Sequence, residues 1–299
     1  MIGGTSCSAG AAKSATMPPS AARGEEVYLK ACSACHGENG NGRGPAALYL
    51  SPLPRNFTTG MFKFRSTPSG ELPTDQDLMR TVENGISGTQ MPAWNGMLSL
   101  QERLDVIAYL KLFSEDFQNP APAPVTVPEA PESLEKYASE GKMVYMLMEC
   151  WACHGGKGKG NGKSGKTLKD DWGAKILPWD LTRAQYKAGN DAKSLYRTFT
   201  TGLNGTPMPS YALDGFLIAG DINVDASKYK EAYKPAEVDA LRDWLRTQPP
   251  EVSLKRMPEA QKSALGEKRK WALVAYIQSL VNRPNFLVRM FTEDTELTP

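Results

Sequence analysis

Histidine is nearly absent from this chain: among 299 residues there are two, His36 and His154. A catalytic site with an imidazole to spare for acid/base work is therefore excluded once these two are assigned. Long apolar runs are absent too. No stretch approaches the roughly eighteen consecutive apolar residues that a membrane-spanning helix needs. Charge of one sign is also missing, since 35 basic against 33 acidic side chains leave a net +2, so nothing global points to nucleic acid. At this length, with 40% hydrophobic residues, the chain has material for two soluble domains, each with a core.

Where the histidines stand decides their chemistry. Each closes a C-x-x-C-H run, Cys32-Ser33-Ala34-Cys35-His36 and Cys150-Trp151-Ala152-Cys153-His154. This is the attachment signal for a c-type haem: two thiols bond to the porphyrin vinyl groups and the adjacent imidazole takes an axial iron position. Zinc is the competing reading of C-x-x-C. Such a site would have to join ligands more than a hundred residues apart, unlike the short spacings zinc sites show. Two covalently bound haem c groups are expected, through Cys32, Cys35, Cys150 and Cys153, with His36 and His154 on the iron.

Cys7 is then left without an intramolecular partner. Haem attachment of this kind implies export, to the periplasm or the outer face of the cytoplasmic membrane. The small residues before Cys7 and the Ser/Ala/Pro-rich tether after it resemble the end of a lipoprotein signal, which predicts a lipid anchor. A free thiol in a disordered leader is the plainer alternative.

Along the chain, residues 1–22 read as that leader, with order beginning at Arg23. A helix leads into the first haem motif. A loop with glycines at 37, 40, 42 and 44 then permits a tight wrap of backbone, and a carbonyl near Pro45 is expected to orient the His36 ring. Its G-x-G-x-G pattern is no phosphate loop, because neither the lysine nor the serine of one follows. A short helix is expected around Asp75–Glu83. An amphipathic one over Leu98–Phe113 turns Leu100, Leu104, Ile107, Ala108, Leu110 and Leu112 to the core. The first domain spans 23–117. Five prolines make 118–132 a semi-rigid linker.

The domain over 133–299 repeats the first. Its leading helix runs from Ser133 to Cys153. Residues 78–92 align without a gap on 195–209, 53–58 resemble 177–182, and Val106-Ile107-Ala108-Tyr109-Leu110 matches Leu273-Val274-Ala275-Tyr276-Ile277. Met91 precedes Tyr109 by 18 residues, whereas Met208 precedes Tyr276 by 68, which makes 211–260 an insertion of about fifty residues. Within it Pro235–Thr247 reads as a helix with Val238, Leu241, Trp244 and Leu245 on one face, expected to pack against a partner or between the domains.

With both histidines used, the second axial ligand cannot be another. Met91 and Met208 sit in matching G-T-x-M-P contexts, 55 and 54 residues after their histidines, and are expected on the iron. Met143, Met146 and Met148 read as core filler. Trp94 and Tyr211, three residues past the ligand methionines, read equally as haem-edge or core aromatics. Lys157, Lys159, Lys163, Lys166 and Lys169 form either a solvated loop or a docking patch for an acidic partner.

Each half resembles a class I cytochrome c domain, and the tandem resembles dihaem cytochromes of the cytochrome c4 type, over about 23–115 and 133–282 without the insertion. The resemblance implies an all-α fold wrapped around each haem. Gly24 and Tyr28 would lie at the crossing of first and last helices opposite Tyr109, as would Gly141 and Tyr145 opposite Tyr276. Tyr28 precedes Cys32 by four residues but Tyr145 precedes Cys150 by five, so the second helix must shift or bulge. The implied role is transfer of single electrons between redox proteins in a respiratory-type chain, as a free carrier or bound to a membrane oxidoreductase complex. An alternative is a dihaem enzyme, a peroxidase or sulfur-compound dehydrogenase, with one open haem.

Overall fold

The computed structural model describes residues 16–281; Cys7, and with it the lipid-anchor expectation, lies outside them. Among the described residues the chain is all-helical. Ten α-helices are joined by 3-10 turns and loops, with one isolated bridge, Lys169 to Lys175, in place of a sheet. None of these helices is long and apolar enough to cross a membrane.

Order begins earlier than the leader expectation placed it. Ser20 caps α1 (Ala21–Ala31), and its backbone N–H donates to Asp105 Oδ1 at 2.7 Å. Arg23 clamps the same carboxylate with Nε and Nη2 at 2.7 and 2.8 Å, so the start of α1 is tied to α4 (Leu100–Leu110). The two helices cross where Gly24 has no side chain: a Cβ there would sit 2.0 Å from the Asp105 carbonyl oxygen. The second half repeats the crossing with α5 (Ala138–Leu147) and α10 (Glu259–Ser279). A Cβ on Gly141 would sit 1.8 Å from the Ala272 carbonyl oxygen. Beside each crossing a tyrosine pair packs, Tyr28 on Tyr109 at 5.4 Å between ring centroids and Tyr145 on Tyr276 at 5.1 Å.

The apolar face assigned to α4 is corrected in part. Ile107 and Leu110 are buried, but Leu100 and Leu112 are exposed, and Arg103, Asp105 and Val106 lie inside instead. The buried charges are tolerated because each is partnered. Arg103 donates to the carbonyls of Asn95 and Leu98 and to Glu83, just as Asp105 receives Arg23. The equivalent of Arg103 in the second half is Lys270, wholly buried, whose Nζ donates to Thr200 Oγ1 and the Tyr211 carbonyl at 3.0 Å each.

The second leading helix is not one span from Ser133 to Cys153: it starts at Ala138 and breaks before Cys150. α5 ends at Leu147, and Glu149, at φ 57°, is the extra residue that lets α6 (Cys150–His154) restart in register. This is the bulge that the five-residue spacing demands. Both tyrosines consequently reach equivalent partners: Tyr28 donates to the Gly37 carbonyl and Tyr145 to that of Gly155, at 2.7 Å each.

Residues 211–260, expected as an insertion, close on the second half rather than lying between halves. α8 (Pro235–Arg246) buries Val238, Leu241 and Leu245 in the same apolar cluster as Val144 and Tyr145, and Glu237 pairs with Lys142 of α5 at 2.6 Å. Ahead of it Tyr229 and Tyr233 pack on Trp151 of α6, and Lys228 pairs with Glu149 at the bulge. The short α9 (Glu251–Arg256) follows. The Pro-rich stretch 118–132 has few bonds of its own. It is tacked to both halves, through Val125 N–H to the Ser66 carbonyl at 2.7 Å and through Glu129 to Lys193 at 2.5 Å.

α3 (Asp75–Asn84) starts at a capping box made by Thr74 and Asp77. The buried Asp77 carboxylate also accepts from Ser66 N–H and Oγ, at 2.8 Å each. Burial opposes its charge, but the donors of Ser66 and Thr74 and the Arg80 guanidinium outweigh it and hold the carboxyl below its ordinary value. Such a group stabilises the fold fully above the unfolded pKa of about 3.9 and loses that contribution as pH falls through the folded value. Asp77→Asn is expected to cost about 1–3 kcal/mol at neutral pH and to flatten the acid limb of thermal stability; an unchanged limb counts against the assignment. Gly141→Ala is expected to cost about 1–3 kcal/mol through overpacking. Gly96→Ala, which meets nothing within 4 Å, is the control and should lie within about 0.5 kcal/mol of the parent in the same melts.

Candidate haem sites

The attachment helices are short because the residue after each histidine is a glycine in the left-handed region, Gly37 at φ 78° and Gly155 at φ 82°. The loop beyond folds back on the helix through matching bonds. Gly42 N–H donates to the His36 carbonyl and Gly160 N–H to the His154 carbonyl, both at 2.8 Å. Gly44 and Gly162 do the same to Cys35 and Cys153, at 3.1 and 3.0 Å. Glycine is required because the loop brushes the next segment: a Cβ on Gly42 would lie 2.7 Å from the Pro54 carbonyl oxygen, and one on Gly160 2.5 Å from that of Pro178.

That next segment holds the imidazoles. His36 Nδ1 donates to the Arg55 carbonyl and His154 Nδ1 to the Trp179 carbonyl, each at 3.0 Å. The carbonyl near Pro45 expected for this role is thereby corrected. Arg55 and Trp179 occupy the same position of the repeat 53–58 and 177–182, so the alignment of the two halves already contained the signal. Committing Nδ1–H to a carbonyl leaves Nε2 with its lone pair, the form in which imidazole binds a metal. Burial lowers the pKa of both rings and so favours the neutral state, although the carbonyl bond opposes it. Phe57 stacks on the His36 ring at 4.5 Å and 17°; Leu181 fills the equivalent place in the second half.

The methionine loops are built alike. α3 and α7 (Ala192–Thr201) end at Gly85 and Gly202, at φ 63° and 64°. Each loop is then closed by Ile86 N–H to the Met91 carbonyl and Leu203 N–H to the Met208 carbonyl, at 3.0 and 3.1 Å. Thr89 and Thr206 each accept the methionine N–H at 3.2 Å and donate to the residue that opens the turn at 2.8 Å. The T of G-T-x-M-P thus positions the M. Trp94 N–H then donates to the Val82 carbonyl and Tyr211 N–H to that of Phe199.

In the first half Cys32, Cys35, His36 and Met91 line one open cavity, about 1200 Å³ with the solvent at its mouth included, walled by Phe57, Phe62, Leu78, Val82, Pro92 and Trp94. In the second half Cys150 and Met208 pack with Trp151, Trp179 and Tyr211 against one apolar cluster that also holds Met146, with Met143 and Met148 at its edge. The donor set fits a haem c. Thiols, a neutral imidazole and a thioether line one apolar cavity, and Trp94 Nε1 is buried in the cavity wall without a partner. Burial pushes the Cys32 and Cys150 thiols up to about 12, as apolar surroundings do. Among the described residues no three His, Cys, Asp or Glu side chains gather as metal ligands, which the zinc reading would require. The lysines at 157, 159, 163, 166 and 169 are exposed, and Lys163 pairs with Glu231 of the insertion at 3.3 Å.

Comparison with known proteins agrees with this geometry. Residues 19–110 match the family described as cytochrome c oxidase, cbb3-type, subunit III, and residues 138–249 match cytochrome c. The cbb3-type cytochrome c oxidase subunit FixP of Azorhizobium caulinodans is 34% identical over 81 residues, 27% of this chain and 23% of that protein, so this chain spans about a quarter of that relative's length. A chain of the Kuenenia stuttgartiensis reducing HAO-like protein complex Kustc0457/Kustc0458 superposes with a TM-score of 0.68 at 34% identity, over 90% of this chain and 100% of that one.

The Phe57 contact yields a prediction. Phe57→Leu, which copies the second half, is expected to keep two haems per chain and to cost less than about 1.5 kcal/mol. Phe57→Ala, which removes the wall behind His36, is expected to cost about 3–5 kcal/mol. Thermal unfolding with haem content measured in parallel checks both, and an Ala variant as stable as the Leu variant would remove the assigned role.

Proposed function

The chain belongs to the cytochrome c family as two haem-c-binding domains in tandem, and from that premise we propose that it is the electron-transfer subunit of a larger redox complex. Bound haem c supplies a one-electron iron couple. In this reading Cys32, Cys35, Cys150 and Cys153 would carry the thioether bonds, and His36 with Met91 and His154 with Met208 would hold the two irons. The observation that supports it most directly is the shared cavity of Cys32, Cys35, His36 and Met91. The chain's own residues then do three things: the Arg55 and Trp179 carbonyls orient the imidazoles, Thr89 and Thr206 position the thioethers, and the apolar walls keep water out. A thioether ligand favours ferrous iron and so raises the potential. Irons each held by two protein side chains would offer no position to a substrate, which favours transfer over bond-making.

A bound subunit is favoured over a free shuttle because the relative that superposes over its whole length comes from a two-component complex. The surface offers a place for such a partner. Leu48 and Tyr49 are 87% and 86% exposed, and Leu50, Pro52 and Leu53 continue from them into the cavity wall. In this reading the protein works in the periplasm or on the outer face of the cytoplasmic membrane, where c-type haem is attached.

An optical redox titration tests the ligation. Met91→His and Met208→His are each expected to lower one midpoint potential, by on the order of tenths of a volt within the roughly 0.8 V that axial ligands span. Each should leave the other midpoint in place and halve the methionine-to-iron charge-transfer band. A high-spin component in the unaltered protein would favour the enzyme alternative instead. Purification of the native chain from its source, followed by gel filtration, separates complex from shuttle: elution at the mass of the lone chain would overturn the subunit assignment.

A further inference from the structure

Three cations converge on the first haem cavity from both sides of the seam between the halves. Arg55 and Lys63 belong to the first half and Lys187 to the second, and all three line the cavity that holds Cys32, Cys35, His36 and Met91. They are half-buried. Among the described residues none of their side chains makes a hydrogen bond or has a carboxylate oxygen within 4 Å; the hydrogen bond at Arg55 is made by its backbone carbonyl. Aromatic faces cover part of two of them, with Arg55 4.3 Å above the Trp172 ring centroid and Lys187 4.7 Å from that of Trp179. Those contacts satisfy the flat or apolar side of a cation and leave its N–H donors unused.

Like charges gathered in an apolar cavity destabilise one another unless an anion is delivered to them. Burial lowers the pKa of all three. Lys63 falls to about 8, through burial first and then Arg55, with Lys187 adding less; Asp170 offsets part of this at Lys63, as Asp170 and Asp171 do at Arg55. The arrangement is also no accident of one loop. Lys63 and Lys187 are equivalent positions of the repeat 53–64 and 177–188, brought together because the two copies face each other. Each would be expected to serve its own half, yet Lys187 lines the cavity of the other.

We infer that Arg55, Lys63 and Lys187 bind the carboxylate edge of the porphyrin in the first half, with Lys187 reaching it from the second domain. The inference rests on the two-haem reading above. It makes the first haem site a product of both domains and assigns Lys187 as a residue that sets the first haem's potential across the seam. Removing a positive charge there disfavours the extra electron, so the sign of the effect follows directly.

The test uses the full holoprotein, with a haem count of two per chain established first, so that loss of the underlying reading is seen separately. Lys187→Gln is expected to shift one haem's reduction equilibrium about tenfold toward the ferric form, 59 mV for a one-electron couple. Resonance Raman should show that haem's propionate bending mode moving as well, while the second haem keeps its potential. The Met91→His titration identifies which wave belongs to the first haem. Lys187→Arg should restore both readouts. Lys63→Gln gives the same measurement from within the first half if Lys187→Gln fails to load haem. An unmoved propionate mode, an unchanged potential, or an equal shift of both haems overturns the inference.

Discussion

The hydrogen bond from an imidazole Nδ1–H to a backbone carbonyl, made once in each half at 3.0 Å, is what the rest of this molecule is arranged to preserve. It fixes the ring and leaves the other nitrogen with its lone pair, the form in which an imidazole can bind a metal. A backbone acceptor cannot be lost by side-chain substitution, but it can be misplaced, so the chain invests in holding its segment. Phe57 N–H donates to the Gly40 carbonyl at 2.7 Å and Leu181 N–H to that of Gly158 at 2.6 Å, which pins each acceptor segment to its glycine loop. The methionine side is built with the same economy: a threonine hydroxyl inside the turn and a buried cation, Arg103 or Lys270, on the segment that follows.

The residues that carry those carbonyls have a second task. The Arg55 side chain lies over Trp172, and the Trp172 ring packs on Gly205 in the methionine loop of the second half. Trp179 reaches the other way: a Cβ on Gly88, in the methionine loop of the first half, would lie 2.5 Å from its ring. The histidine side of each half is thus in contact with the methionine side of the other. Arg65 closes the seam. Buried, it donates through Nη2 to the Thr201 carbonyl at 2.6 Å, placing a cation at the negative end of α7.

Much of this was readable in the residues, for reasons that differ by element. The gathering of Cys32, Cys35, His36 and Met91 around one cavity was legible because C-x-x-C-H and G-T-x-M-P are short patterns of particular side chains at fixed spacing. The break at Glu149 followed from counting, since a five-residue gap cannot keep Tyr145 where Tyr28 sits without an added turn of backbone. The carbonyl partners were hidden because any residue supplies a carbonyl; only the alignment of Arg55 with Trp179 marked them. The inward face of α4 was misjudged at Leu100 and Leu112 because partnered charges, Arg103 and Asp105, took interior places that periodicity awards to leucine. The insertion's destination was hidden as well, because Tyr229 and Tyr233 acquire meaning only when Trp151 is beside them. Lys63 and Lys187 lie 124 residues apart, and nothing along the chain says that they meet.

The contacts across the seam have an evolutionary consequence. Gly88 of the first copy is shaped to Trp179 of the second, and Arg55 of the first copy is seated on Trp172 of the second, so neither copy retains the surface of a self-sufficient ancestor. Doubling the gene was a reversible event at first, but once each copy came to lean on the other the step became a ratchet. Such a polypeptide can grow by appending further modules; it can no longer be halved.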